Sequence, residues 1–479
     1  METQNNEISR SANPRRRKRS RFQVFKESYL PVIIIGLTVI CMLVFIFGSL
    51  TRGDGSHSDP NAGTQSTDST SATTESTDGK VDAEVASLLA QAAELAADFD
   101  YAGAMAVLES FSGDFAVNDK LAAAHREYTQ LLSEMVQWQP SQVVNLSFHL
   151  LIADAERAFQ DPKYGYDSYQ KSYPLNFITT YEFSAILQQL YENDCMLVSL
   201  SDLYEKTFDA SSGRWIYQEK TLLLPPGVTP VMITQTNANY YTYMVDSNGD
   251  GKPDAGADGF AYNLCYGENG FYNEIVLSDG TVSAGAYDIV PILEAFIAQH
   301  PDFSYRDARA IIAMSGEDGI LGYHFNSNKL TEEERTAAKE TAKTVVQALR
   351  DHGYEIACFT YSNANYETKE AEFIKSDLQK WQEHITDVVG EVNIMVLPKE
   401  GDIAGEEGYN GNVKYHLMYD AGFTIYLGTG TEPWNQVEDR YVRHNRILVT
   451  GDFLNRYPQR FEGLFDAAAV LDPDRETYR

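Results

Sequence analysis

The sequence predicts an α/β fold with a mostly parallel sheet or barrel, preceded by a transmembrane helix and a small all-α segment. Three observations support this prediction. After residue 143, short apolar runs alternate with segments of helix length. Near the N-terminus, a run of 21 residues contains no charge. Between these two regions, residues 81–138 show the apolar periodicity of amphipathic helices.

The N-terminal 50 residues predict a membrane anchor. Residues 1–29 form a basic tail, and residues 30–50 read LPVIIIGLTVICMLVFIFGSL. As a helix this run is about 31 Å long, which matches the apolar core of a bilayer. A cleaved signal peptide is the alternative, but its apolar region is shorter and a small-residue cleavage site follows it. We therefore expect a single-pass protein of the cell membrane, with a cytoplasmic N-terminus and an extracellular C-terminal domain.

The charge balance excludes one class of partner. Acidic residues outnumber basic ones by 69 to 38, which gives a net charge of −31. Because the basic tail is positive, the remainder of the chain is even more acidic than this total. A nucleic-acid backbone is repelled by such a body, so we expect no nucleic-acid partner. The four cysteines, of which Cys41 lies in the apolar run, are too few for a disulfide scaffold.

Two further segments separate the anchor from the main domain. Residues 51–80 are rich in Ser and Thr and contain no large apolar residue, which predicts a flexible stalk. In residues 81–138, Val85, Leu89 and Ala92 share one helix face. We interpret this helical segment as a spacer or cap. The alternative is a non-catalytic scaffold for protein interactions, in which the helices are the working part.

The main domain contains eight predicted strands and four predicted helices. Residues Thr331 and Glu334 have the spacing of a capping box at the start of the third helix. The carboxyl ends of parallel strands are where such folds place their active groups. The predicted strands are 143–149, 196–200, 230–234, 310–314, 354–359, 392–397, 424–427 and 446–449, and the predicted helices are 180–193, 290–300, 331–352 and 370–389.

The order of these segments resembles the polysaccharide deacetylase (NodB-homology, carbohydrate esterase) family. The similar segments are 147–152 (SFHLLI), 180–203 with its VSLSDL ending, 349–356 (LRDHGYEI) and 420–423 (DAGF). The resemblance covers residues 143–471, with an insert at 239–285. It implies a distorted (β/α) barrel of seven or eight strands. It also implies metal-dependent hydrolysis of acetyl groups on a glycan such as peptidoglycan.

The family's chemistry requires a divalent cation, zinc or a similar ion, held by one Asp and two His. The two His belong to an H-(S/T)-x-x-H segment, and a second Asp in a T-F-D-D-G segment is the general base. Here the base position holds Thr236 and the metal-ligand position Asn237, while Phe359 and Asn363 replace the two His. Of the R-x-P-Y segment, only Pro398 is kept. We therefore expect neither the family's metal nor its activity at these residues.

Two histidines are candidates for a relocated site. His149 lies at the end of the first strand, and His324 follows a strand. We expect them, with Pro398, to line a groove that holds glycan, or alternatively to be hydrogen-bonded core residues. Separate histidines that converge at a barrel mouth remain a third possibility.

A calcium site is possible in the insert. Asp246, Asn248, Asp250 and Asp254 stand at positions 1, 3, 5 and 9 of a loop with Gly251 at position 6. An acid at position 12 is absent, so a polar turn is the alternative. The insert is also aromatic, and its rings form either a small core or a platform for sugars: Tyr240, Tyr241, Tyr243, Phe260, Tyr262, Tyr266, Phe271 and Tyr272.

Three functional hypotheses follow. The first is a membrane-anchored pseudoenzyme outside the cell that binds cell-envelope glycan without hydrolysing it. The second is an active metal-dependent N- or O-deacetylase, a hydrolase of carbon–nitrogen non-peptide bonds, with a rearranged site. The third is the interaction scaffold that uses residues 81–138.

Overall fold

The computed structural model describes most of the chain after the stalk. The chain divides into two compact units, one ending at Glu134 and including Pro225–Gly227, and the other formed by Met135–Leu224 and Val228–Arg479. The predicted tail, the predicted anchor and nearly all of the predicted stalk lie outside the described residues. No helix in the described part of the chain is both long enough and apolar enough to cross a membrane. The described residues are 77–161, 163–166, 172–246, 253–255, 258–405 and 408–477.

The elements are numbered in chain order. The helices are α1 Thr77–Ala97, α2 Tyr101–Glu109, α3 Asp119–Glu134, α4 Ala155–Gln160, α5 Tyr173–Asn176, α6 Thr180–Glu192, α7 Thr242–Val245, α8 Ile289–Gln299, α9 Glu332–Asp351, α10 Ala371–His384, α11 Thr386–Val389, α12 Val413–Asp420, α13 Gly451–Arg456 and α14 Asp474–Thr477. The strands are β1 Val136–Trp138, β2 Val144–Phe148, β3 Cys195–Leu197, β4 Tyr204–Asp209, β5 Arg214–Glu219, β6 Leu222–Leu224, β7 Thr229–Gln235, β8 Asn263–Gly267, β9 Gly270–Val276, β10 Val282–Gly285, β11 Ile311–Met314, β12 Glu355–Cys358, β13 Ile394–Val396, β14 Ile425–Thr429, β15 Asn435–Glu438 and β16 Tyr441–Leu448.

The described part of the first unit contains the three helices α1 to α3. Val85 and Ala92 are buried, as the apolar periodicity predicts. Helix α1 begins at Thr77, so it takes in the last residues of the segment predicted as a stalk (51–80). The helical segment ends at Glu134 and not at 138, because Val136–Trp138 forms strand β1 and pairs with β6.

The second unit is an α/β barrel. Seven parallel strands close it in the order β2, β7, β11, β12, β13, β14, β16 and back to β2. The predicted α/β fold with a parallel barrel is therefore confirmed. The predicted strand 196–200 corresponds to β3, which pairs with the first half of β7 and lies beside the closed ring. Strand β15 pairs antiparallel with β16 outside it.

The barrel strands separate an apolar outer face from a partly polar interior. Side chains alternate between the two faces of a strand. On β2, Leu146 packs into the outer hydrophobic core, whereas Asn145 and Ser147 are buried on the other face. Across the next strand, the Thr234 hydroxyl donates to Asn145 Oδ1 at 2.8 Å. Buried polar groups thus find partners inside the barrel, as burial requires.

The four predicted helices are present with small shifts. The third begins with the predicted capping box, in which Thr331 Oγ1 accepts from the Glu334 N–H and Glu334 accepts from the Thr331 N–H. The fourth is divided at Ile385 into α10 and α11. An additional hairpin, β4–β5, carries Phe208 and Trp215 as a directly paired, exposed couple near its tip.

The insert between β7 and β11 is a three-stranded antiparallel sheet of β8, β9 and β10, preceded by the short helix α7. One buried carboxylate connects it to the barrel. Asp288 accepts hydrogen bonds from Gln235 Nε2 of β7 at 2.6 Å and from Tyr240 OH of the insert at 2.6 Å. It also accepts from the Leu151 N–H beyond β2 at 3.0 Å. Asn273 of β9 donates to the same Tyr240 hydroxyl at 3.1 Å.

The buried ion pair of Glu182 with Arg475 predicts a large stability effect. Glu182 is fully buried and accepts from two nitrogens of the Arg475 guanidinium. We expect Glu182→Gln to lower the free energy of unfolding by about 3 kcal/mol, because the change leaves a buried guanidinium uncompensated. Urea unfolding measures this, with Glu340→Gln as the matched control, since Glu340 pairs with Lys343 on the exposed face of α9. Equal losses in both variants would contradict the prediction.

Asp288 predicts a pH dependence of stability. Burial raises the pKa of this carboxyl from 3.8 to about 6, although its hydrogen bonds oppose the shift. The folded state therefore binds more protons than the unfolded state between these values, and the free energy of unfolding falls as the pH rises through this window. We expect Asp288→Asn, which cannot ionise, to remove roughly 2 kcal/mol of that fall. Urea unfolding of both proteins across this window tests it, and parallel pH curves would refute it.

Candidate functional site

The candidate site is the mouth of the barrel, where the carboxyl ends of the parallel strands meet. Strand β2 leads into His149, β7 into Thr236 and Asn237, and β11 into Ser315. Strand β12 leads into the segment from Phe359 to Asn363, whose first residue is bound through its N–H to the Met314 carbonyl of β11 at 2.7 Å. The positions that the family resemblance singled out therefore lie at one end of the barrel.

Thr236 and His149 contact each other at this mouth. The Thr236 hydroxyl donates to the Phe148 carbonyl at 3.0 Å and lies 2.8 Å from His149 Nδ1. Burial, together with a smaller effect of the nearby Arg446 guanidinium, lowers the pKa of His149 to about 4. The imidazole is therefore neutral at neutral pH. Neither residue supplies the carboxylate that the family uses as general base.

Asn237 and Asn363 meet directly although they are 126 positions apart in the chain. The Asn363 Nδ2 donates to the Asn237 Oδ1 at 3.2 Å, and the Tyr241 hydroxyl donates to the same oxygen at 2.9 Å. The Tyr241 oxygen also lies 2.8 Å from Ser315 Oγ. Asn237, Asn363, Tyr241 and Ser315 thus form a neutral hydrogen-bonded network, which we call the mouth network.

Left-handed backbone conformations place both asparagines. The φ angle is 58° at Asn237 and 50° at Asn363. Asn enters this region more readily than most residues because its short polar side chain hydrogen-bonds locally. The turns after β7 and β12 therefore point these two amides toward each other.

The mouth residues do not fit a zinc-like cation. The Asn237 oxygen already accepts two hydrogen bonds, and an amide oxygen is a poor ligand for zinc. Phe359, which is 3% exposed, has no atom that ligates a metal. Within the described ranges, no three His, Cys, Asp or Glu side chains are grouped so that they could hold a metal ion. The polar groups of the mouth network are amides and hydroxyls, which can donate to and accept from a ligand.

One acceptor in the mouth lacks a protein partner. Asn363 Oδ1 is buried, yet no donor among the described residues reaches it. A buried polar atom without a hydrogen bond costs about 1–3 kcal/mol of stability. A hydroxyl or N–H group of a bound ligand would satisfy this atom.

Aromatic rings stand beside the mouth network. The rings of Tyr241 and Tyr243 are stacked, with centroids 5.7 Å apart and planes at 20°. Tyr243 is 52% exposed, whereas Tyr240 and Phe260 of the same insert are buried in the core. Some of the insert aromatics therefore form a small core, whereas Tyr243 is exposed and its role as a platform for sugars stays a prediction.

A polar cavity of about 490 Å³ adjoins the mouth. Its wall includes Thr242, which follows Tyr241, and Asn326, whose Nδ2 donates to the Gly316 carbonyl at 2.8 Å. His324 lines this cavity, and burial lowers the pKa of its imidazole. Asp318 and Lys329 add one charge of each sign to the lining. Pro398, the third groove candidate, is buried after β13.

The possible calcium loop is only partly described. The Asp246 carboxylate, at loop position 1, lies 3.4 Å from the Lys329 ammonium. This carboxylate is therefore already paired with a lysine side chain. The Asp254 N–H donates to the Val245 carbonyl at 2.8 Å. Asn248 and Asp250 lie outside the described residues.

Several residues of the site had no sequence signal strong enough to select them. Ser315 follows a short buried strand, and Tyr241 is one of many aromatics in the insert. Arg446 was assigned only to a strand, although it is a charged residue directly before the apolar run Ile447-Leu448-Val449. That position is the signal by which a buried arginine could have been suspected.

Comparisons with known proteins give two similar structures. No family model matches the chain, and no curated protein matches it. The deacetylase PplD of Streptococcus pyogenes, solved with acetate, is 10% identical, with 71% of this chain and 100% of that chain covered and a TM-score of 0.33. A de-N-acetylase from Aggregatibacter actinomycetemcomitans is 15% identical, with 67% and 99% covered and a TM-score of 0.35. The chemistry assigned to the mouth rests on its own residues.

Proposed function

We propose that this protein binds a cell-envelope glycan at the barrel mouth and does not hydrolyse it. The observation that carries the proposal is the mouth network. Where the family resemblance implies a metal and a carboxylate base, the chain has amides and hydroxyls bonded to one another. Such groups donate to and accept from hydroxyls and acetamides, but they do not activate water as a metal ion does.

Three features of the mouth support a sugar ligand. The unpaired Asn363 Oδ1 offers an acceptor to a hydroxyl or amide N–H. The exposed Tyr243 ring, stacked on Tyr241, offers a flat apolar surface beside these polar groups. The cavity lined by His324 and Asn326 extends the polar surface away from the mouth. Ligand sites of this kind combine an apolar wall with a few oriented polar groups.

The proposed location follows from the sequence. The basic tail 1–29 and the uncharged run 30–50 support a single membrane span with the C-terminal domain outside. The Ser/Thr-rich segment that follows would let the barrel reach glycan at a distance from the membrane. This arrangement places the binding domain where envelope glycan is found.

Glycan affinity tests the role of the stacked rings of Tyr241 and Tyr243, which we call the tyrosine wall. We expect Tyr243→Ala to weaken binding of an N-acetylated chitooligosaccharide by roughly 2- to 10-fold, because it removes an aromatic contact of about 0.5–1.5 kcal/mol. Isothermal titration calorimetry measures the dissociation constant. The matched control is Tyr266→Ala. Tyr266 is also exposed (41%), but it contacts His352, which lies before the amino-terminal end of β12 and so away from the mouth. Equal losses of affinity in both variants would show that the tyrosine wall does not contact the glycan.

Metal analysis and an acetate assay on the same purified protein distinguish glycan binding from glycan hydrolysis. Bound zinc, cobalt or manganese in stoichiometric amount, together with acetate release from the oligosaccharide or from acetylated peptidoglycan, would establish the rearranged deacetylase. Absence of glycan binding, with a protein partner captured by residues 81–138 alone, would favour the scaffold.

Restoring the family residues tests the assignment of the strand ends. We expect the combined variant Thr236→Asp, Asn237→Asp, Phe359→His and Asn363→His to gain affinity for zinc. Asn237 and Asn363 already contact each other. Because side chains alternate along a strand, Phe359 lies on the same side of β12 as Ala357, which is the side opposite the outer hydrophobic core that contains Cys358. Metal analysis after gel filtration gives the stoichiometry, with the unchanged chain as control. A folded variant that binds no metal would show that these positions are misassigned.

A further inference from the structure

Arg446 differs from the other buried arginines of the described residues because it has no acidic partner. Three arginines among the described residues are more than nine-tenths buried. Arg443 pairs with Asp402 at 3.0 Å, and Arg475 pairs with Glu182. Arg446, which is 2% exposed, has no acidic partner in the part of the chain that the structure describes.

The contacts of Arg446 are all to uncharged oxygens. Its Nη1 donates to Ser147 Oγ at 2.7 Å. Its Nη2 donates to the Leu397 carbonyl at 3.0 Å and to Thr429 Oγ1 at 3.3 Å, and its Nε donates to the Leu427 carbonyl at 3.3 Å. A guanidinium has five N–H donors, so these four bonds leave one Nη1 hydrogen. The hydrogen-bonding capacity is nearly used, but the charge is not neutralised.

An unneutralised buried charge is costly. Transfer of an ion from water to a protein interior carries a penalty that an opposite charge normally offsets. Here burial lowers the pKa of Arg446 to about 9, and Glu400, in the exposed loop after β13, opposes this only in part. The guanidinium is still protonated at neutral pH. Among the described residues, no carboxylate forms a salt bridge with this positive charge, and Glu400 acts on it only from a distance.

The charge lies directly below the mouth. Its partners Ser147, Leu397 and Thr429 stand at the carboxyl ends of β2, β13 and β14. The same charge lowers the pKa of His149, which contacts Thr236 at the mouth. Water and salt screen the electric field of the buried Arg446 charge less than they screen the fields of exposed acids such as Glu317 and Glu400.

We propose that the glycan bound at the mouth is acidic and that its carboxylate is attracted by Arg446. This inference rests on the proposed function and names the class of its ligand. One positive charge with one remaining donor suits a monoanionic sugar carboxylate. A phosphate dianion would keep an excess negative charge in the same place. Arg446 selects the ligand by its charge, and the mouth network and the tyrosine wall contact the sugar.

A pair of disaccharides tests the proposal. The probes are N,N′-diacetylchitobiose and the disaccharide of N-acetylglucosamine and N-acetylmuramic acid, which differ by one lactyl carboxylate. For the full chain at low ionic strength, we expect calorimetry to give about tenfold tighter binding of the acidic probe, with the preference falling as salt is added. Equal affinity for the two probes would overturn the proposal.

Variants assign the preference to Arg446. We expect Arg446→Gln to bind both probes equally and Arg446→Lys to retain most of the preference, since only the latter keeps the charge. Arg214→Gln, which removes one positive charge from the exposed surface, is the matched control and should leave the preference unchanged. Circular dichroism confirms that each variant is folded. An Arg446→Gln protein that still prefers the acidic probe would refute the assignment.

A simple carboxylate separates this inference from the proposed function. Sodium lactate, compared with sodium chloride at equal ionic strength, should raise the melting temperature of the full chain but not of Arg446→Gln. If neither disaccharide binds but lactate stabilises through Arg446, the anion site stands and the glycan assignment fails. Equal melting temperatures in the two salts, without disaccharide binding, would reject both.

Discussion

Closure of the parallel barrel is the constraint on which the rest of the structure depends. The ring closes between β7 and β11 through only two paired positions, Ile311 with Thr234 and Ile312 with Gln235. Because all seven strands run in the same direction, this closure brings their carboxyl ends to one rim. Asn237 and Asn363 come from distant parts of the chain and touch for this reason. The neutral character of the mouth is then decided by the side chains that the rim collects.

The insert supplies much of what surrounds that rim. It leaves the barrel directly after Asn237 and returns at α8, and Asp288 fixes its position against two strand ends. Its first turn provides Tyr241 to the mouth network and Tyr243 to the exposed wall. A segment that interrupts the barrel thus contributes both polar and apolar surface to the same site, while the barrel contributes the floor.

The fold was more predictable from the sequence than the site was. All eight predicted strands exist, because short apolar runs between turn residues carry a strong signal for buried parallel strands. The β4–β5 hairpin was not predicted because its strands, YEKTFD and RWIYQE, are largely exposed and contain no continuous apolar run. At the site, the family resemblance selected Thr236, Asn237 and Asn363, and these residues follow the carboxyl ends of β7 and β12. Arg446 was not selected because a lone basic residue is ordinarily solvated, and its place before an apolar run is only a weak signal of burial.

The left-handed turns at Asn237 and Asn363 have an evolutionary consequence. Asn and Asp tolerate this backbone conformation similarly, whereas β-branched residues do not. An exchange of amide for carboxylate at either turn therefore alters charge while the main-chain path persists. Over evolutionary time the charge at these two rim positions can therefore vary without refolding the loops that carry them.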